Sequence, residues 1–181
     1  GDAVSQFSAA EAASPGDVRM PLALARAFAQ QRLWTTAFEK LAAADQLAPG
    51  NVAVQLLRSR YQLDTASDPS QGKAAARAVL EDLADRASPG QLAWAKLLQA
   101  RYLQDDSARL DGEARAAART KARALVGEAK ESRPSRDPEF SAMLAETLLE
   151  LGDPSGARRE AEEAVKTAGH APRYRLLLAE T

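Results

Sequence analysis

The sequence predicts an all-α chain built from antiparallel helix pairs, and three observations carry that expectation. Its 181 residues hold 41 Ala and 23 Leu against 7 Val and no Ile, so the apolar content sits in strong helix formers and leaves little for a sheet. Helix-start signals recur along it: an N-capping side chain followed by Pro stands at Asp68-Pro69, Ser88-Pro89, Asp137-Pro138 and Asp153-Pro154. Between these signals apolar residues return at three- and four-residue spacing, as in Leu24, Ala25 and Phe28, then Phe38, Leu41, Ala44 and Leu47. A chain of this length is expected to form one domain.

Residues 1–17 are small and polar and lack the cationic start and apolar core of a signal peptide, so they are set apart as a flexible leader or appended linker, with 18–181 as the helical domain. Nine helices are expected near 20–31, 35–47, 51–64, 70–87, 89–104, 112–131, 138–151, 154–168 and 172–180. Besides the four cap-Pro pairs, their starts are signalled by Thr36 with Glu39 at capping-box spacing, by Asn51 behind Pro49-Gly50, by Asp111 before Gly112, and by Pro172 after Gly169. Ser88 with Gln91 makes a second box. Odd-numbered helices begin near 18, 51, 89, 138 and 172, and two of the intervals, 33 and 34, are the period of a helix-turn-helix repeat. The longer intervals go into the loop at 64–69 and into the long helix 112–131 with its tail Ser132–Arg136.

Composition also closes off several kinds of chemistry. With no Cys and one His, thiol nucleophiles, disulfides and thiolate zinc sites are excluded, and His170, in a loop with no second His to share a metal, is read as a surface residue. No metal or cofactor is expected, because the glycines are dispersed at helix ends rather than gathered into a phosphate-binding turn. A net charge of −1 argues against non-specific binding of nucleic acid, and the aromatics Trp34, Tyr61, Trp94, Tyr102 and Tyr174 fall at core spacing rather than as a base-stacking platform. No apolar stretch approaches the ~20 residues that span a bilayer. The compartment, cytoplasm or periplasm, stays open, and the excess of Arg over Lys with abundant Ala points to a GC-rich bacterial coding sequence.

Charge is uneven along the chain: residues 115–136 sum to +5 and residues 137–163 to −6, an arrangement that could steer an acidic or basic partner or favour weak head-to-tail self-association. Arg115, Arg119 and Arg123 recur every four residues and are read as a solvated ridge, as are the carboxylates Glu146 with Glu150 and Glu160 with Glu163.

The residues can be set against a known pattern of large, small and aromatic positions. In the first unit Leu24, Ala25 and Phe28 precede Trp34 in the turn and Ala37, Leu41, Ala44 and Pro49 on the second helix, only Pro21 departing. In the fourth, Leu144, Ala145 and Leu148 precede the turn Gly152-Asp153 and then Ala157, Ala161 and Ala164. The middle units supply Val54, Leu57, Tyr61, Trp94 and Leu97 but place Arg58 and Leu98 where a small residue belongs. Over residues 18–180 the sequence thus resembles a tetratricopeptide repeat (TPR) protein. That resemblance implies a right-handed superhelical array of antiparallel helix pairs, about four TPR-like units plus a C-terminal capping helix, 172–180. Small residues are needed because helices close to ~8–10 Å only where side chains are short.

The resemblance further implies a partner-binding groove along the first helix of each unit. Its outward positions are Leu22, Arg26 and Gln30, then Gln55, Ser59 and Gln62, then Ala95, Gln99 and Tyr102, then Ala142, Glu146 and Leu149. Among these Arg26, Gln30, Gln55, Ser59, Gln62, Gln99, Tyr102 and Glu146 are the candidate contacts. The Lys and Asn set with which one subgroup grips a terminal carboxylate is missing, Leu22, Arg26 and Ser59 standing in its place. The leading expectation is a non-catalytic scaffold that binds a protein or peptide in this groove, with no nucleic acid and no membrane insertion. The competing readings are a helical-array hydrolase with Glu146 or Glu150 as its acid, and a structural segment of a longer solenoid.

Overall fold

The computed structural model describes residues 3–65, 69–168 and 172–181, and they contain ten α-helices and no strand. The chain divides into two compact units, Gly1–Leu83 and Ala84–Thr181, where the sequence suggested a single domain. Among the described residues no helix is long and apolar enough to cross a membrane.

In the first unit α1 (Ala3–Ala13) precedes two helix pairs, α2 (Arg19–Gln30) with α3 (Trp34–Leu47) and α4 (Val52–Thr65) with α5 (Pro69–Glu81). The α2–α3 turn is so short that the two helices must run antiparallel. The segment expected to be a flexible leader is therefore helical over most of its length. Its Ala content favours the helix, α1 packs on α2, and the Lys40 ammonium donates to the Glu11 carboxylate at 2.6 Å, tying α1 to α3.

Ala25 and Ala37 let α2 and α3 close on each other, and Leu22, Leu41, Ala44, Val54, Leu57 and Tyr61 complete one core that runs through α4. Trp34 and Phe38 lean on the Tyr61 ring with centroids 5.7 and 6.4 Å away. The departure at Arg58 is absorbed at the rim: its guanidinium donates to Asp45 on α3 at 3.1 Å.

Two expected helix boundaries change. The α3 helix begins at Trp34 without a side-chain cap, so Thr36 and Glu39 lie inside it rather than forming a capping box. Helix α5 ends at Glu81, not 87, and a 3₁₀ turn, Ala84–Arg86, follows. Leu83 N–H closes on the Ala78 carbonyl, and Glu81, Asp82 and Asp85 place negative charge where the helix dipole is itself negative. Asp68, expected to cap α5, and His170 and Gly169 lie outside the described residues.

The second unit contains α6 (Pro89–Ser107) with α7 (Gly112–Glu131), α8 (Pro138–Glu150) with α9 (Pro154–Ala168), and α10 (Pro172–Glu180) packed on α9 and α8. Its caps follow the sequence signals closely. Ser88 and Gln91 form the reciprocal box. The Asp137 carboxylate accepts from the N–H groups of Glu139 and Phe140, and Asp153 accepts from Gly156 N–H at 2.8 Å. Asp111 stands at the α7 N-cap but makes no side-chain cap bond. Gly152, at φ +84°, makes the left-handed turn between α8 and α9; Arg32 adopts φ 59° at the matching place between α2 and α3. Core packing joins Ala142 and Ala145 to Ala161, Ala164, Tyr174 and Leu177, while Ala122, Val126 and Ala129 bury one face of α7.

Candidate interaction surface

Within the second unit α6 and α8 lie against each other, each braced from behind by its own second helix. The Trp94 indole N–H donates to Asp137 Oδ2 at 2.9 Å, and its ring meets Phe140 edge-on with centroids 5.2 Å apart. One carboxylate thus caps α8 and orients the aromatic that joins it to α6, fixing the spacing of the residues carried on both.

Of the expected groove positions, Arg26, Gln30 and Glu146 are exposed, and Gln55, Gln99 and Leu149 are half-buried. Ser59, Gln62 and Tyr102 are not solvent-facing: their exposures are 0, 6 and 3 %. Leu22, Ala95 and Ala142 are buried as well, Leu22 as a member of the first unit's core. These positions sit at the margin of each first helix's outward stripe, where neighbouring helices close over them.

The arginines read as a solvated ridge have specific partners. Arg119 donates to the Glu150 carbonyl at 3.1 Å, Arg123 to the Leu151 carbonyl at 2.7 Å, and Arg115 to the carbonyls of Ser107 and Leu110. They satisfy carbonyls left over at the C-terminal ends of α8 and α6, where the helix dipole favours a cation. Arg101 adds a side-chain tie between α6 and α8, 2.8 Å from the Glu150 carboxylate.

Burial pushes the Glu150 carboxyl above its ordinary 4.5; Arg101 pulls it back and Asp105 pushes it further up. A raised folded value means that the stability contributed by this group is full below pH 4.5 and is lost as pH rises through the raised value. Glu150→Gln, which cannot ionise, is expected to flatten the urea midpoint against pH between 4.5 and the raised value and to leave stability at pH 7 equal or higher. A marked fall at pH 7 would mean that the pair with Arg101 outweighs burial.

Glu160 is also not on a solvated face. It is buried, with Arg133 at 3.1 Å and Lys130 at 3.7 Å, and Arg133 donates onward to Ser141 Oγ at 2.8 Å, so one network ties α8 and α9 to the C-terminal end of α7 and the segment after it. The signal was present in the spacing: Ala157, Glu160, Ala161 and Ala164 form one i, i+3, i+4, i+7 stripe, and Glu160 lies inside it. Among the described residues no group of three His, Cys, Asp or Glu side chains could hold a metal ion.

Residues 138–181 match the model of the tetratricopeptide repeat family. The fold is similar to the crystal structure of a thermophilic TPR protein of Thermus thermophilus, with a TM-score of 0.63 and 22% identity over 98% of this chain and 87% of that one. Residues 138–181 are a tetratricopeptide repeat segment, and the fold of the chain is that of a TPR protein. No curated protein matches it in sequence. The repeat pattern is clearest in the matched α8–α9 pair, where Leu144, Ala145, Ala157, Ala161 and Ala164 are all without exposure. In the remaining pairs the likeness is one of fold.

Proposed function

We propose that this TPR-like chain is a non-catalytic scaffold that holds a segment of a partner protein against the outward faces of its first helices. The supporting observation is that these faces carry polar side chains that are exposed or half-buried in each unit: Arg26, Gln30 and Gln55 on α2 and α4, and Gln99 and Glu146 on α6 and α8. A tetratricopeptide fold is in general a protein-interaction scaffold. Leu149, half-buried beside exposed Glu146, favours a segment that brings an apolar side chain together with a Lys or Arg.

The test is affinity capture of a partner, followed by titration of the captured protein against a variant with Arg26, Gln55, Gln99 and Glu146 all changed to Ala. All four positions are at least partly exposed, so helicity by circular dichroism should be unchanged while affinity falls tenfold or more. Full affinity in the variant would remove the groove assignment.

A further inference from the structure

The last turn of α8 is held by two other helices as well as by its own chain. Local N–H groups take its earlier carbonyls: Leu151 donates to Thr147, Asp153 to Leu148 and Gly152 to Leu149. The next two carbonyls, on Glu150 and Leu151, go to side chains from elsewhere. Gln104 Nε2 of α6 and Arg119 Nη2 of α7 donate to the Glu150 carbonyl at 3.3 and 3.1 Å, and Arg123 Nη2 of α7 donates to the Leu151 carbonyl at 2.7 Å. Arg119 and Arg123 are four residues apart, so one face of α7 meets both acceptors.

The matching turn of the first unit lacks these donors. There Leu33 and Arg32 donate to Phe28 and Ala29 just as Asp153 and Gly152 donate to Leu148 and Leu149, so Gln30 and Gln31 correspond to Glu150 and Leu151. Among the described residues no side chain donates to the carbonyl of Gln30 or Gln31. The local bonds therefore suffice to close a turn of this kind, and the arginines do something further at α8. What they hold is the end of the helix that carries exposed Glu146 and half-buried Leu149.

We propose that Arg119 and Arg123 are positioning residues for the partner surface, acting through the main chain of α8. By tying the Glu150 and Leu151 carbonyls to α7, they keep the end of α8 from fraying and hold Glu146 and Leu149 at one spacing from Gln99 on α6. This role depends on the outward faces of α6 and α8 being the binding surface, but the two arginines lie on a second helix and are not among its contacts. A guanidinium suits the task, because it stays charged and keeps donating whether Glu150 is ionised or not, and it sits where the α8 dipole is negative. A surface already ordered binds at lower entropic cost. Loss of the two arginines therefore weakens binding without removing a contact.

The double variant Arg119→Gln, Arg123→Gln tests this in the full chain. Because the chain has no Cys, nitroxides at Gln99→Cys and Glu146→Cys report the α6–α8 spacing directly by electron spin distance measurement. The distance distribution should be narrow with both arginines present and at least twice as wide in the double variant. Without labels, affinity of the folded double variant for the protein captured by the wild-type chain should fall at least fivefold, an effect that a merely stabilising role for the arginines would not produce. An unchanged distance distribution would overturn the proposal. So would full affinity in the double variant while the quadruple groove variant loses affinity. Full affinity in both variants would show instead that the binding surface itself is misplaced, and the positioning role would fall with it.

Discussion

Phe140→Ala will lower the stability of the second unit by about 3–5 kcal/mol, the range for deleting a large, fully buried aromatic. Phe140 has no exposed surface and carries the edge-on contact with Trp94. Its removal also loosens Trp94, whose N–H is held by the carboxylate that caps α8. Each unit contains one of the two Trp residues, Trp34 or Trp94, so urea unfolding can be followed in the second unit by Trp94 fluorescence in a Trp34→Phe background. A loss under about 1 kcal/mol would mean that the α6–α8 contact relaxes to fill the space.

The next largest effect is expected at Arg133. Breaking a buried ion pair by removing one partner costs about 3–5 kcal/mol when the remaining charge stays buried. Arg133 is itself about one-third exposed, at 35 %, which reduces the expected cost of Arg133→Met to about 2–3 kcal/mol. The variant leaves the Glu160 side chain, 8 % exposed, with Lys130 at 3.7 Å, and takes the Arg133 donor from the buried Ser141 hydroxyl. Glu160→Met should cost less, about 1–2 kcal/mol, because the cations it releases can turn to water. Urea midpoints of the two single variants and the double variant decide the matter. If Glu160→Met proves the more damaging, the network stabilises through its carboxylate rather than merely accommodating it.

Helix starts were legible in the sequence wherever a capping side chain and a Pro stood together, because the cap bonds are local: Ser88, Asp137 and Asp153 all bind the N–H groups two or three residues ahead. The Ala seams were legible for a related reason. A helix fixes which residues share a face, so Ala37, Leu41 and Ala44, or Ala157, Ala161 and Ala164, declare a buried stripe before any partner is known. What only the tertiary structure decided is which polar residues meet across helices. Arg119 and Arg123 reach carbonyls of α8's end, Arg101 reaches Glu150, and Arg133 reaches Glu160, pairings separated by about 27 to 49 positions that no helical period encodes. Ser59, Gln62 and Tyr102 were placed outward for the same reason: periodicity names a face, but how far a neighbouring helix closes over the edge of that face depends on packing between elements.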